Sequence, residues 1–278
     1  MIASKKYIHL LLMNENKFTN LNLDFFIKKK IIPLLKIENK KISSFRKYSS
    51  KKTSSVDPVT KHDIRIEKKI RKLINNYYPE HSISGEEFEY KNGESKFEWC
   101  IDPIDGTKAL IAGQPTWSNM IGLNYDGKPI KGLIFFPELN KYYYSDNNFS
   151  YVVEKNKKKK LKSKKNQNLD KSYLITNSIH TLKSTKILNF FKNYKYLFKI
   201  TGVDALNFCL VAEGKIDILI ESGLKKYDII PHLSILEKSG AVISDWNGGN
   251  QFLKGDVVVC GNNIIHKKFI NYFKKKIK

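Results

Sequence analysis

The sequence predicts an α/β protein whose N-terminal part is better described as α+β, and three patterns carry that prediction. Two stretches before residue 80 place apolar side chains at helical spacing. Residues 81 to 145 read as a run of strands separated by turn residues. From about residue 170 strands and helices alternate densely, the mark of helices laid over a sheet.

In "FTNLNLDFFIKKKIIPLLKIENKKISSFRKY" (residues 18 to 48), Leu23, Phe26, Ile27, Ile31, Leu34 and Leu35 follow the 3.6 repeat. Pro33 should kink or split that helix. "SSVDPVTKHDIRIEKKIRKLINNYY" opens on turn and capping residues. From Asp63 it runs as a helix with Ile66, Ile70, Leu73 and Ile74 on one face. "HSISGEEF" and "FEWCIDPID" read as strands ending in acids. "TWSNMIGLNYDGKPIKGLIFFPELNKYYYS" reads as hairpins turning at Asp126-Gly127 and near Pro137. The segment "EKNKKKKLKSKKNQNLDK" (154 to 171) is of low complexity and predicts an exposed, Lys-decorated hairpin loop at a subdomain boundary. Beyond it, "SYLIT", "KIDILIES", "AVISDW" and "VVVCG" predict strands. "STKILNFFKNY", "DALNFCLVAEG", "IIPHLSILEKSG" and "IIHKKFINYFKKK" predict helices, the second ended by Gly214. The organisation expected is an N-terminal extension (1–17), an α+β subdomain (18–165) and an α/β subdomain (166–278).

With 41% hydrophobic and 12% aromatic residues, the 278-residue chain can bury a core, which excludes global disorder. A formal charge of +23 suggests a nucleic-acid partner. Yet Arg occurs only at 46, 65 and 71, and every other one of the 50 basic residues is Lys. Reading bases and phosphates favours the bidentate guanidinium, so this composition describes a solvated Lys-rich surface and no specific nucleic-acid binding. Cys100, Cys209 and Cys260 are widely spaced and form neither a disulfide framework nor a zinc motif. No apolar run approaches a membrane span, and "MIASKKYIHLLLMNENK" is too short and too polar for a signal peptide. A reducing, cytoplasmic location is expected; translation from Met1 and from Met13 are both open.

The chemistry lies in the carboxylates. Asp63, Glu86, Glu87, Asp102, Asp105 and Asp228 each stand at the end of an apolar run or the mouth of a helix, where clefts of α/β proteins open. Acids gathered without matching Arg repel one another unless a cation joins them, and oxygen ligands suit Mg²⁺ or Mn²⁺ over Zn²⁺. In "DPIDGT", Asp102 and Asp105 flank a bend in which Pro103 fixes the backbone and the Ile104 carbonyl is free to face a metal. Gly106 and Thr107 then present backbone N–H groups at the start of "TKALIAG", a phosphate site, and the Thr107 hydroxyl can orient a water. "DPIDGTKALIAG" lacks the alternating acids of an EF-hand. The Asp-x-Asp-Gly-Thr of aspartyl-phosphate phosphatases would need an acid where Pro103 stands. His62, His180 and His232 lack companions at ligand spacing and read as surface or core residues.

These blocks also resemble a family. "GEE" (85–87), "DPIDGT" (102–107) and "YDIIPHLSILEKSGAVISDWNGG" (227–249) are similar, in order and separation, to the signatures of the inositol monophosphatase superfamily, from about residue 20 to the end. "TGVDALNFCLVAEGKIDILIESGLKKYD" with "SDWNGG" is most similar to the bacterial histidinol-phosphate phosphatase branch. Tyr227, where inositol phosphatases commonly have Trp, points the same way. "KGLIFFPELN" lacks the Asp-Gln-Pro of that branch, and "TNSI" replaces its Thr-Thr-Ser-Pro. The resemblance implies a layered α-β-α-β-α sandwich of two subdomains, often a homodimer. It further implies Mg²⁺-dependent hydrolysis of a small phosphate monoester by direct water attack, with two or three ions bound and Mn²⁺ a substitute.

Carried to this chain, the resemblance makes Glu86, Asp102, Asp105, Asp228 and the carbonyl of Ile104 metal ligands. Glu86 also counts as catalytic, Asp63 and Thr107 orient or deprotonate the water, and Gly106 and Thr107 hold the phosphate. Glu221 and Asp204 meet the organic part of the substrate. L-histidinol phosphate is the expected substrate; inositol 1-phosphate, a 3'(2'),5'-bisphosphate nucleotide and a non-catalytic polyanion-binding role are the alternatives.

Overall fold

The computed structural model describes residues 23–42, 49–50, 58–177, 185, 189–190 and 198–277. The N-terminal extension, His180, the second half of "TNSI" and most of the "STKILNFFKNY" helix lie outside the described residues.

Helix α1 runs as Leu23–Phe26, Ile27–Ile31 and Ile32–Asn39. The expected effect of Pro33 takes an unexpected form. Pro33 has no N–H to give to the preceding turn, and the middle segment widens to π-helix, with the Ile32 N–H bonding the Ile27 carbonyl. Strands β1 (Ser49–Ser50) and β2 (Pro58–Val59) form a short antiparallel pair. Helix α2 (Lys61–Tyr77) follows, with Thr60 as N-cap and Ile66, Ile70 and Ile74 fully buried.

A seven-stranded sheet comes next: β3 (Ser82–Gly85), β4 (Phe97–Asp105), β5 (Ser118–Tyr125), β6 (Lys128–Phe136), β7 (Lys141–Ser145), β8 (Ser150–Glu154) and β9 (Lys157–Lys160), in that spatial order. The β3–β4 pair is parallel and the rest are antiparallel. Asp126 and Gly127, at φ of 50° and 73°, close the β5–β6 hairpin as their sequence predicts. The Lys run expected in a loop is instead mostly strand. Lys155 and Asn156 make the turn, at φ of 47° and 66°, and Lys157–Lys160 pair with β8 as a fully exposed edge. Lysine on an edge strand blocks pairing with other chains.

The second sheet has the order β11-β10-β12-β14-β13, from β10 (Tyr173–Thr176), β11 (Phe198–Thr201), β12 (Ile218–Glu221), β13 (Val242–Ser244) and β14 (Val257–Cys260). β11, β10 and β12 are parallel; β14 and β13 run antiparallel. Helices α4 (Asp204–Ala212), α5 (Lys226–Ser239) and α6 (Asn263–Ile277) complete the fold after the short α3 (Thr107–Ile111).

Three apolar cores stack these parts. Trp99, Ile101, Ile121, Leu123 and Leu133, on one face of the first sheet, pack with α1 and α2. Cys100, Met120 and Ile134, on its other face, pack with α4, α5 and the near face of the second sheet. Leu174, Ile218, Ile220 and Val258 pack on the far side with Ile265, Phe269 and Phe273 of α6. The result is the layered α-β-α-β-α sandwich. All three cysteines are buried and free.

One contact fixes how closely the middle layer sits. Gly122 and Gly132 are register partners on β5 and β6. A Cβ on Gly132 would lie 2.1 Å from the Pro231 carbonyl oxygen, and one on Gly122 would lie 2.9 Å from Ile230 Cγ2. This side-chain-free groove lets α5 lie directly on the first sheet. Gly132→Ala should therefore cost about 1–3 kcal/mol, the usual cost of overpacking, read as a lower urea midpoint with an unchanged slope.

Candidate active site

The centre of the site is the end of β4. Asp102 pairs with Met120 and Asp105 with Ser118, so three steps on one strand face two on the other. The expected bend is thus a β-bulge at the sheet's end. Pro103 cannot donate to the ladder, and the extra residue turns the backbone. Asn119 Nδ2 donates to the Pro103 carbonyl at 2.6 Å, and Asn39 Nδ2 donates to Asn119 Oδ1 at 2.6 Å. The Ile104 carbonyl accepts from Thr107 Oγ1 at 3.1 Å. Gly106 follows at φ 77°, with no room for a side chain, since a Cβ would stand 2.9 Å from Val203 Cγ1.

Helix α2 brings Asp63 to the same place. It is the third residue of the helix, and its Oδ2 accepts from the Thr60 N–H at 2.8 Å and from the Thr60 hydroxyl. Its other oxygen, Oδ1, accepts from Thr107 Oγ1 at 3.4 Å. One side chain therefore both caps a helix and faces the site. After β3, Glu86 N–H bonds the Ile101 carbonyl at 3.1 Å and Glu87 N–H bonds Glu67 Oε2 at 2.8 Å.

The second half of the chain closes the site. Asp204 opens α4, and the next N–H, that of Ala205, donates to Asp105 Oδ2 at 3.2 Å. Asp228 does not precede α5 but lies within its first turn, because the helix starts two residues earlier at Lys226; its Oδ2 accepts from Lys225 N–H at 2.6 Å. Glu221 ends β12, fully buried, and accepts from Asn207 Nδ2 at 2.8 Å.

Burial pushes these carboxyls up, and their mutual repulsion pushes them further. Asp102 is raised well above the usual range by burial, then by Glu86, Asp105, Asp228 and Asp63. Asp105 is raised by burial, then by Asp204 and Glu86, against the opposing Ala205 hydrogen bond. Asp228 is pushed up to about 8 by burial, with Asp105 and Glu86 adding to it. Asp204 rises to about 7 and Asp63 to about 6, burial leading in both. Glu86 thus acts on Asp102, Asp105 and Asp228, whereas Glu87 acts on Asp63. Asp102 Oδ1, Asp204 Oδ1 and Glu221 Oε2 are buried with no hydrogen-bond donor. Among the described residues no three acid, His or Cys side chains meet in a preformed cage; the acids are electrostatic neighbours that have not closed on a common point. A separate cleft of about 700 Å³ between β13 and α6, lined by Ser244, Asn247, His266 and Lys267, offers a cation no carboxylate. His232 is buried against Phe208, with ring centroids 4.5 Å apart, and burial pushes it down to about 3, so it is a neutral core residue.

The model of the inositol monophosphatase family matches residues 22–278. The chain belongs to that family. It is 34% identical over 242 residues to the bifunctional phosphatase IMPL2, chloroplastic, of Arabidopsis thaliana, covering 80% of this chain and 68% of the relative. It is 28% identical over 225 residues to a histidinol-phosphatase of Chlorobaculum parvum, covering 77% and 82%. The solved IMPase of Thermotoga maritima superposes with a TM-score of 0.73 at 26% identity, over 92% of this chain and 99% of that one. As a member of the inositol monophosphatase family the chain is a metal-dependent phosphatase acting on small phosphorylated substrates. Among the described residues no helix is long and apolar enough to cross a membrane.

Mg²⁺, the ion used in the family, fits the residues present. The donors are hard oxygens, they are crowded enough to repel one another, and Asp102 keeps an unpartnered oxygen. Glu67, Asn119 and Asn207, which hold parts of the site in place, escaped the sequence reading. Glu67 follows Asp63 by one helical turn, and Asn207 follows Asp204 by three residues, so a search along the helix faces carrying the acids would have found both.

The raised carboxyls set a pH dependence. A carboxyl whose folded pKa lies above its unfolded value costs stability when ionised. The metal-free fold therefore loses stability as pH rises through about 6, 7 and 8, the values of Asp63, Asp204 and Asp228. In EDTA, thermal unfolding should come at a higher temperature at about pH 5.5 than at about pH 8.5, each kcal/mol being worth roughly 2–4 °C at this size. Mg²⁺ should raise the midpoint more at the higher pH, where the ligands are ionised.

Proposed function

We propose that this phosphatase acts on a small, amine-bearing phosphate monoester, with L-histidinol phosphate its preferred substrate. The observation that carries this reading is a row of buried acceptors beside Asp105: Asp204 Oδ1, Asn207 Oδ1 and Glu221 Oε2 all lack a donor. Buried acceptors without donors are costly, and a substrate ammonium group supplies what they lack. The likeness to a histidinol-phosphatase supports the same reading.

In this reading Glu86, Asp102, Asp105, Asp228 and the Ile104 carbonyl hold two or three Mg²⁺ ions, which Mn²⁺ can replace. Bound there, Mg²⁺ supplies positive charge against the phosphoryl oxygens and the leaving oxygen. The N–H groups of Gly106 and Thr107 hold the phosphate. Asp63 Oδ1 and Thr107 Oγ1, 3.4 Å apart, stand side by side and together orient the attacking water. With its carboxyl near 6, Asp63 is ionised at neutral pH yet basic enough to take the proton of that water as it attacks phosphorus. The expected assembly is a homodimer, and the expected compartment is the cytoplasm.

A panel of phosphate esters assayed with and without Mg²⁺ tests the assignment. L-histidinol phosphate should give the highest kcat/KM. Asp105→Asn should lower turnover on every ester by more than about 100-fold, since even partners of metal ligands are worth about 10–100-fold. Glu221→Gln should lower kcat/KM for L-histidinol phosphate relative to inositol 1-phosphate by about 10–100-fold, the worth of a hydrogen bond to a charged group. Equal activity of the wild type on the two esters would sink the amine reading.

A further inference from the structure

We infer that Glu67 and Arg71 form a positioning pair that fixes the metal ligand Glu86 to the helix carrying Asp63, and that the pair requires arginine at position 71. This inference rests on the reading of Glu86 as a ligand.

Glu86 lies just past the end of β3, where a single last bond ties the chain to β4. Three consecutive residues are anchored there. The Glu86 N–H bonds the Ile101 carbonyl at 3.1 Å. The Glu87 N–H bonds Glu67 Oε2 at 2.8 Å, and the Phe88 carbonyl accepts from Arg71 Nη2 at 3.1 Å. Arg71 Nε completes the device by donating to Glu67 Oε1 at 2.7 Å. The two anchors that follow Glu86 thus come from one ion pair on α2, one and two turns beyond Asp63.

Glu67 is fully buried and the Arg71 side chain is 13% exposed, so the pair is shielded from water. The site has been kept clear for it, since a Cβ on Gly85 would fall 2.1 Å from Glu67 Oε1. The guanidinium also lies 5.6 Å from the centroid of the Phe88 ring. Reaching the carboxylate, the carbonyl and the ring together is a task for a planar fork; an ammonium group is a point charge on a flexible stem. In a chain whose default cation is Lys, both arginines among the described residues, Arg65 and Arg71, lie on α2, and each meets a buried carboxylate, Glu38 of α1 and Glu67 of α2.

The test is Mn²⁺ binding, followed by the loss of the free-ion electron paramagnetic resonance signal in full-length protein. Thermal unfolding of each metal-free variant checks that it folds. Arg71→Lys keeps the charge and loses the fork; it should weaken Mn²⁺ binding by about 10–100-fold, as changes to the partners of metal ligands do. Gly85→Ala displaces Glu67 by a different route and should weaken it likewise. A purely structural pair would lower the unfolding temperature but leave the affinity of the folded protein unchanged. Unchanged affinity in both folded variants therefore overturns the positioning role alone. A wild type that takes up no Mn²⁺ overturns the ligand reading and this inference with it.

Discussion

The constraint on which this structure depends is the mutual repulsion of acids held out of water. Asp102, Asp105 and Glu221 are buried, with Asp204 and Asp228 half-buried beside them, and each carboxyl is raised by loss of water first and by its acidic neighbours as well. Burying one charge without a partner costs several kcal/mol. A fold selected for stability alone would have placed lysines here, since the chain has them in abundance. Among the described residues none of these five acids is ion-paired to a Lys or Arg, and the cluster is left to be neutralised by protons or by something that binds. The strongly positive chain thus encloses a negative centre.

The fold assembles that centre from elements far apart in sequence, and two contacts bring them to one place. The glycine pair on β5 and β6 lets α5 press against the first sheet, and this sets the height at which Asp228 arrives over the end of β4. The Ala205 N–H on Asp105 ties the start of α4 to the same point. Both contacts join the second half of the chain to the first sheet, so the site exists only when the two halves have packed. A change at Gly132 and a change at Asp228 then disturb the same geometry from opposite sides.

Much of this was legible in the sequence because its cause is local. The apolar face of α2, the Asp126-Gly127 turn and the acids at the ends of β4 and β12 follow from periodicity and turn chemistry within a few residues. What escaped has a tertiary cause. Pro33 predicts a broken helix, but packing of Phe26, Ile31 and Leu35 on the sheet keeps the axis, and the helix widens instead. Asp102 to Asp105 reads as a turn, yet pairing of β4 with β5 on either side of Pro103 makes it a bulge. Lys157–Lys160 shows no apolar alternation and becomes a strand only because β8 supplies a partner. The role of Asn119 depends on a group 16 residues away, which no local pattern marks; Glu67 shares a helix face with Asp63, but its partner Glu87, 20 residues away, is set by tertiary packing.

The same division bears on substrate choice. The groups proposed to hold the phosphate and the water, Asp63, Gly106 and Thr107, belong to the first sheet and the helices beside it. Asp204, Asn207 and Glu221 belong to the second sheet and α4. They touch the first group through Ala205 and Asp105, not through the water-ordering residues. Under the proposed function, substitutions in the second set alter what is recognised while the proposed hydrolytic groups keep their geometry. Relatives named for different phosphate esters are what such an arrangement would allow: one sheet carrying the proposed hydrolytic groups, with a second sheet whose buried acceptors are the proposed contacts to the rest of the substrate.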